Sequence, residues 1–295
     1  MAISVITEQY VRDGLRELGL ARHPVCLHSS LRSFGAVEGG PATIVQAFLA
    51  EGCTLMVPTY SYWAWTCAPD VSQLRPSRNA FDYDREIEPP ARPYTTASRD
   101  VSGSMGSVAA AVCEWPGRVR GSNPGVSCSA VGPVARELIE GQSVRDPNAP
   151  FRALAALGGF VVLAGVGLNR MSLLHAAEEL SGRTPFMRYA LIPEGVVAFA
   201  TGGCSEGFDR LASVMEPFQR ESFVRRSRWR MFPAAEILHA AASAIHEDPS
   251  ITHCDDSGCE SCDAATAGGP ILTVPWEGLT ILRHGNQPTS SSDRG

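Results

Sequence analysis

Residues 24–60 read PVCLHSSLRSFGAVEGGPATIVQAFLAEGCTLMVPTY, and two apolar runs within this stretch decide the fold class. Pro24 to His28 is a short apolar segment that ends in Ser29-Ser30, as a buried strand feeding a loop does. The loop closes at Gly39-Gly40, and Pro41 stands where a first helical residue needs no N–H. Ile44, Val45, Phe48 and Leu49 then supply a helical stripe before Gly52, and Cys53 to Tyr60 is a second strand. Upstream, Val11, Leu15 and Leu18 recur at helical spacing from Thr7, and Gly19 provides a left-handed stop. Helix, strand, helix, strand predicts an α/β layer fold with a mixed central sheet flanked by helices.

Further along, periodicity disappears between Tyr62 and Gly103, where Trp63, Trp65, several prolines and the acidic residues Asp82, Asp84, Glu86 and Glu88 occur. A connection this long is functional or disordered. Pattern returns as helices over Gly106–Trp115 and Val131–Ile139, a strand over Phe160–Val166 and a helix over Ser172–Leu180. Strands Phe186–Ile192 and Val196–Ala200 and helices near Phe208–Phe218 and Pro233–Ile245 follow. Strand-like runs at Ile271–Val274 and Leu279–Leu282 precede a polar tail over 284–295 that should be disordered. No linker or repeat is evident, so residues 1–283 are expected to form one domain.

At 295 residues, 44% hydrophobic and 19% charged, the composition excludes disordered and fibrous classes. The formal charge of -6, from 25 Lys+Arg against 31 Asp+Glu, leaves no electrostatic footprint for nucleic acid or an anionic membrane. A small cationic substrate suits that balance better. No apolar stretch reaches the roughly 18 to 20 residues a membrane span needs. Glu8, Arg12 and Asp13 occupy the place of an export signal's apolar run, so a cytoplasmic location is expected. Nine cysteines, an odd number, fit reduced thiols. Assembly as a homo-oligomer is left open.

Three groups of residues could carry chemistry. In Ser172-Leu-Leu-His175-Ala-Ala-Glu178-Glu179, helical spacing lets Glu178 or Glu179 approach the His175 imidazole and orient it for proton abstraction. The alternative is a helix-surface ion pair. The loop His28-Ser29-Ser30-Leu31-Arg32-Ser33-Phe34-Gly35 follows a strand and offers hydroxyls and backbone amides to a thioester, an amide chain or a phosphate. Neither a phosphate-cradling Gly-x-x-x-x-Gly-Lys-Ser/Thr nor a dinucleotide Gly-x-Gly-x-x-Gly occurs, and Gly-x-Ser-x-Gly and His-Glu-x-x-His are also absent. Finally, Cys254, Cys259 and Cys262 supply three corners of a structural zinc site within a loop at 253–263, with Cys204 a better fourth ligand than His253. A loop of free thiols is the alternative.

Taken in order, these blocks resemble the aminoglycoside 3-N-acetyltransferase family, also called the antibiotic N-acetyltransferase family, over roughly residues 5 to 285. The matching segments are His28–Gly35 with Gly39–Pro41, Gly52–Thr59, Gly106–Val108, Arg120–Pro124, Ser127–Gly132, and Gly165–Gly167 through Glu178. The resemblance implies a compact α/β enzyme, distinct from GCN5-type acetyltransferases, that moves an acetyl group from acetyl-CoA to an amine. It also implies that His28, Ser29, Ser30, Leu31, Arg32, Ser33, Phe34 and Gly35 line the pantetheine arm, with Gly106, Ser107 and Val108 near the cofactor. Ser172 would donate a hydroxyl beside the thioester, His175 would be the general base and Glu178 its partner. Tyr60, Trp63, Asp82, Asp84 and Glu179 would face the acceptor. The chain departs from the family at Asn123, where histidine often precedes the proline, and at Met171, which replaces a polar residue. The favoured acceptor is an aminoglycoside or related antibiotic; a biosynthetic amine or amino sugar, or an inactive zinc-stabilised binding protein, are the other readings.

Overall fold

In the computed structural model, which describes residues 5–68 and 75–272, the apolar runs become adjacent strands of one sheet. In chain order the strands are Pro24–Ser29 (β1), Thr54–Pro58 (β2), Val119–Arg120 (β3), Cys128–Val131 (β4), Phe160–Ala164 (β5), Phe186–Ile192 (β6), Gly195–Thr201 (β7), Arg220–Val224 (β8) and Ser227–Pro233 (β9). Seven of them form a mixed sheet in the order β3-β4-β2-β1-β5-β9-β8, while β6 and β7 make a separate hairpin. β1 pairs in parallel with β2 and with β5, and the outer strands are antiparallel. The three parallel strands are buried on both faces. This explains why they read as continuous apolar runs and not as alternation.

Helices cover both faces. Val25 and Leu27 pack into a core beneath helices Glu8–Glu17, Pro41–Ala50 and Gly106–Glu114, whereas Cys26 points to the core under Ala149–Ala156, Leu173–Leu180 and Ala234–Glu247. That division follows from the two-residue period of a strand. Trp229 anchors the first core, fully buried, with its ring 5.9 Å from Phe34 and 6.1 Å from Phe48.

Several boundaries differ from the sequence reading. The expected helix over Val131–Ile139 is instead the last residue of β4, a turn, and a short helix Ala135–Ile139. Gly132 makes the turn at φ 118, and a Cβ there would lie 2.6 Å from the Cys53 carbonyl oxygen. Phe208–Phe218 breaks into two 3-10 turns around Ala212–Met215. β8 and β9 escaped notice because the charges in RESFV and SRWRMFP interrupt any apolar run; β8 is the sheet edge, and β9 lies between it and β5. The described parts of the long connection after Tyr60 contact the hairpin and the main sheet's flank: Trp65 bridges to Ala190, the Tyr94 N–H donates to the Leu191 carbonyl and the buried Tyr94 hydroxyl donates to the Gly121 carbonyl. Ile271 forms one bridge to Ser77, but the rest of the expected strand-like runs from residue 273 and the 284–295 tail lie outside the described residues. No helix among the described residues is long and apolar enough to cross a membrane.

Replacing Trp229 by Ala is expected to destabilise the protein by about 3–5 kcal/mol, the range for deleting a buried aromatic. Guanidinium unfolding measures this, and a loss below about 1 kcal/mol would contradict the packing described.

Candidate active site

The carboxyl ends of β1, β2 and β5 open on a cleft of about 980 Å³. In open α/β sheets this is where ligands sit. β1 delivers His28 and Ser29 to the wall, the chain after β2 delivers Tyr60, and the segment after β5 leads through a 3-10 turn, Leu168–Arg170, to Ser172 and the helix Leu173–Leu180.

His175 stands in the first turn of that helix with Glu178 one turn on. Its Nδ1 lies 2.8 Å from Glu178 Oε2. The other carboxylate oxygen, Oε1, accepts from Arg183 Nη1 at 2.5 Å, and the same nitrogen reaches Thr252 Oγ1 at 2.8 Å. Glu178 and Arg183 are each 8% exposed, so a buried charge pair holds the acid in place. In the tautomer that donates Nδ1–H to this carboxylate, the lone pair is on Nε2. Phe208 packs edge-on against the ring at 4.9 Å. Gly202 closes the other side, and a Cβ there would lie 2.5 Å from His175 Cγ.

Beside the imidazole, the Tyr60 hydroxyl donates to Ser172 Oγ at 2.8 Å. Burial pushes the Tyr60 phenol well above its ordinary range, so it remains a donor. Ser172 thereby keeps its own proton to donate elsewhere. His28, buried beneath the cleft, is held neutral: burial lowers its pKa to about 3.

The structure gathers His28, Ser29, Ser30, Leu31 and Arg32 with Gly106, Ser107 and Val108 on one wall, and Tyr60, Ser172 and His175 along the cleft. Ser33, Phe34 and Gly35 lie behind that wall. Ser33 Oγ bonds Ser30 O and Ser227 Oγ, Phe34 is core, and Gly35 caps a four-residue helix at φ 83. Glu178 and Glu179 border a small side pocket that His175 also lines, and Glu179 is engaged by Arg152 Nη1 at 3.2 Å and Asn148 Nδ2 at 3.1 Å. Trp63 is set back from the cleft under Arg92, 5.3 Å from its ring. Asp82 caps its own turn through the Asp84 N–H, and the Asp84 side chain is 97% exposed. Neither acid lines the cleft. Asn123 is fully occupied: its amide donates to the Ser143 and Ala200 carbonyls and its oxygen accepts from Gly125 and Val126. Met171 is buried core.

Cys204, Cys254, Cys259 and Cys262 converge, with their four sulfurs all within 4.8 Å of one another. Tetrahedral thiolates around zinc at about 2.3 Å stand roughly 3.8 Å apart, so this set fits the ion. Burial raises the Cys204 thiol to about 11, a cost that a cation would offset. His253 turns away to Asp263 at 3.2 Å.

Sequence reasoning missed Arg183, Thr252, Gly202 and Arg188, all of which touch the site. Only Gly202-Gly203 ahead of Cys204 carried a local signal.

A family described as aminoglycoside 3-N-acetyltransferase matches residues 26–246. Aminoglycoside N(3)-acetyltransferase IX of Micromonospora chalcea is 35% identical over 184 residues, covering 60% of this chain and 63% of its own length. Aminoglycoside N(3)-acetyltransferase VIII of Streptomyces fradiae is 36% identical over 178 residues, covering 57% and 58%. The chain thus spans about three fifths of the length of these curated relatives. The structure of AAC-IIIb in binary complex with CoASH superposes with a TM-score of 0.66 at 22% identity, covering 83% of this chain and 97% of that one, and shares its fold.

The depressed His28 pKa predicts a pH effect. Below about pH 6.5 the unfolded chain takes up a proton that the folded chain refuses until about pH 3, so stability falls as pH drops across that window. The slope attributable to this residue is at most about 1.4 kcal/mol per pH unit. Guanidinium unfolding of wild type and His28→Gln between about pH 7 and pH 5 should show a shallower acid loss in the variant. Equal slopes would contradict the neutral assignment.

Proposed function

The chain belongs to the aminoglycoside 3-N-acetyltransferase family, and on that premise we propose that it transfers an acetyl group from acetyl-CoA to an amino group of a small molecule. The observation that carries this reading is the His175–Glu178–Arg183 array, whose imidazole lines the same strand-end cleft as Ser172. Acetyl-CoA supplies an activated acyl carbon. The relatives' names and the CoASH complex of AAC-IIIb support this cosubstrate.

An aliphatic amine is mostly protonated at neutral pH and cannot attack until that proton leaves. His175 Nε2 accepts it, while Glu178, fixed by Arg183, steadies the imidazolium that forms. As negative charge builds on the acyl oxygen, Ser172 donates to it, with Tyr60 holding its oxygen lone pair. His28, Ser29, Ser30, Leu31 and Arg32, with Gly106, Ser107 and Val108, form the wall for the pantetheine arm. Transfer is direct, within a complex of both substrates. The acceptor class drawn from the relatives is the aminoglycosides, acetylated at a 3-amino group. A second reading, a biosynthetic amine or amino sugar, is favoured by one observation: the described residues lining the cleft include no Asp or Glu. Cys204, Cys254, Cys259 and Cys262 hold a structural zinc ion, with no open position for chemistry.

His175→Ala should lower acceptor-dependent release of free CoA about 10²- to 10⁴-fold, while acetyl-CoA affinity by calorimetry stays within a few-fold. Unchanged turnover would remove the base. Metal analysis should find zinc at about one per chain in wild type and a clear deficit in Cys259→Ser. A folded, metal-free wild type would refute the zinc site.

A further inference from the structure

The cysteine cluster reaches the candidate base by two routes through the fold. One runs through the acid. Thr252, 4% exposed, lies two residues ahead of Cys254; its Oγ1 accepts from Arg183 Nη1 at 2.8 Å, and the Pro249 carbonyl accepts from Nη2. Nη1 also donates to Glu178, whose other carboxylate oxygen faces His175 Nδ1. The other route runs through the backbone. Gly202, which presses on the imidazole, precedes Cys204 by two residues, and the Cys204 N–H donates at 3.1 Å to the hydroxyl of Ser261, next to Cys262.

Residues 248–259, between the helices Ala234–Glu247 and Glu260–Thr266, contain no helix or strand. Their internal hydrogen bonds are short turns on Asp248, Ser250 and Asp256. Such turns shape a loop without fixing its place against Arg183. Its ties to the rest of the fold are the packing of Ile251, the close approach of Gly207 to the Thr252 carbonyl, an exposed Arg210–Asp255 pair, the Arg183 bonds and the four sulfurs. An exposed ion pair contributes little, and free thiols are weak hydrogen-bonding groups. A metal ion on four thiolates instead fixes its ligands in space and adds its binding energy to the folding of the loop. The wall for the pantetheine arm is built differently: His28–Arg32 and Gly106–Val108 come from the end of β1 and the start of the helix Gly106–Glu114, on the sheet itself.

We infer that the four-cysteine site, when it holds a metal ion, positions the general base, and that Thr252 is a positioning residue acting through Arg183 and Glu178. The site keeps Thr252 against Arg183 and Gly202 against His175, and leaves the acetyl-CoA wall alone. The consequence for turnover rests on the acetyl-transfer reading; the state of the imidazole does not.

The test compares zinc-loaded wild type, chelator-stripped wild type, and zinc-loaded Thr252→Val and Thr252→Ser, each checked for folding by circular dichroism. NMR of histidine-labelled protein reads the His175 Nδ1–H proton, identified by its loss in His175→Ala. CoA release is followed with gentamicin and with glucosamine as acceptor. In zinc-loaded wild type the carboxylate bond should protect this proton from exchange and give a sharp signal. The stripped protein and Thr252→Val should lose that signal, and kcat should fall about 10- to 100-fold while acetyl-CoA affinity stays within about 3-fold. Thr252→Ser, which keeps the hydroxyl, should recover most of both, and returning zinc should restore the stripped form. Absence of the signal from wild type, or its persistence in either the folded stripped protein or Thr252→Val, would overturn the inference. If stripping unfolds the chain, zinc-loaded Thr252→Val decides. Loss of the signal with undiminished CoA release would leave the inference standing and remove His175 as the base. No CoA release from wild type with either acceptor would count against the acetyl-transfer reading and leave the NMR signal to decide this one.

Discussion

Glu178 is a carboxylate buried in the middle of a helix, and it persists there because Arg183 takes one of its oxygens and His175 the other. Removed from either partner it would be an uncompensated charge in a poorly solvating environment, a costly state. The pair therefore fixes the imidazole's direction as a by-product of its own stability. Arg183 is in turn held by Thr252 Oγ1 and the Pro249 carbonyl, both just ahead of Cys254. Gly202, which presses on the imidazole, lies two residues before Cys204. The cysteine cluster and the histidine are thus two ends of one braced unit, and Ser261, whose hydroxyl accepts from the Cys204 N–H, also lines the cleft.

The layered fold was legible because its middle strands are buried on both faces. PVCLHS, TLMVP and FVVLA declare themselves by unbroken apolarity. The outer strands did not, since RESFV mixes exposed charge with buried Ser222 and Val224, and VR is only two residues long. The helix Ala149–Ala156, to which the sequence reading assigned no element, buries Phe151 and Leu154 in the core.

At the site, what sequence could show was whatever lies within one helical turn. His175 and Glu178 are three residues apart and meet as the spacing requires, and three of the four cysteines share nine residues. The resemblance added the His28 and Gly106 segments. Hidden from such reasoning were contacts made across the fold: Arg183 with Thr252, Gly202 with His175, Tyr60 with Ser172. The acidic run Asp82–Glu88 drew attention either as an attractor of a cationic acceptor or, the favoured alternative, as a solvated acidic loop, and Asp84 faces water. Arg188 attracted none, because a lone arginine in an apolar strand reveals its surroundings only once Phe81 and Phe186 are in place around it.

The central position of β1 has a consequence for how the chain is made. Its neighbours are β2, close behind in sequence, and β5, where Val25 faces Phe160. During synthesis the first strand emerges long before the partner on its other flank exists, so its open backbone edge must wait through the whole intervening stretch. The amino-terminal third can fold only as a provisional two-stranded layer with both edges unpaired, β2 awaiting β4 and β1 awaiting β5, vulnerable to self-association while the ribosome works toward residue 164.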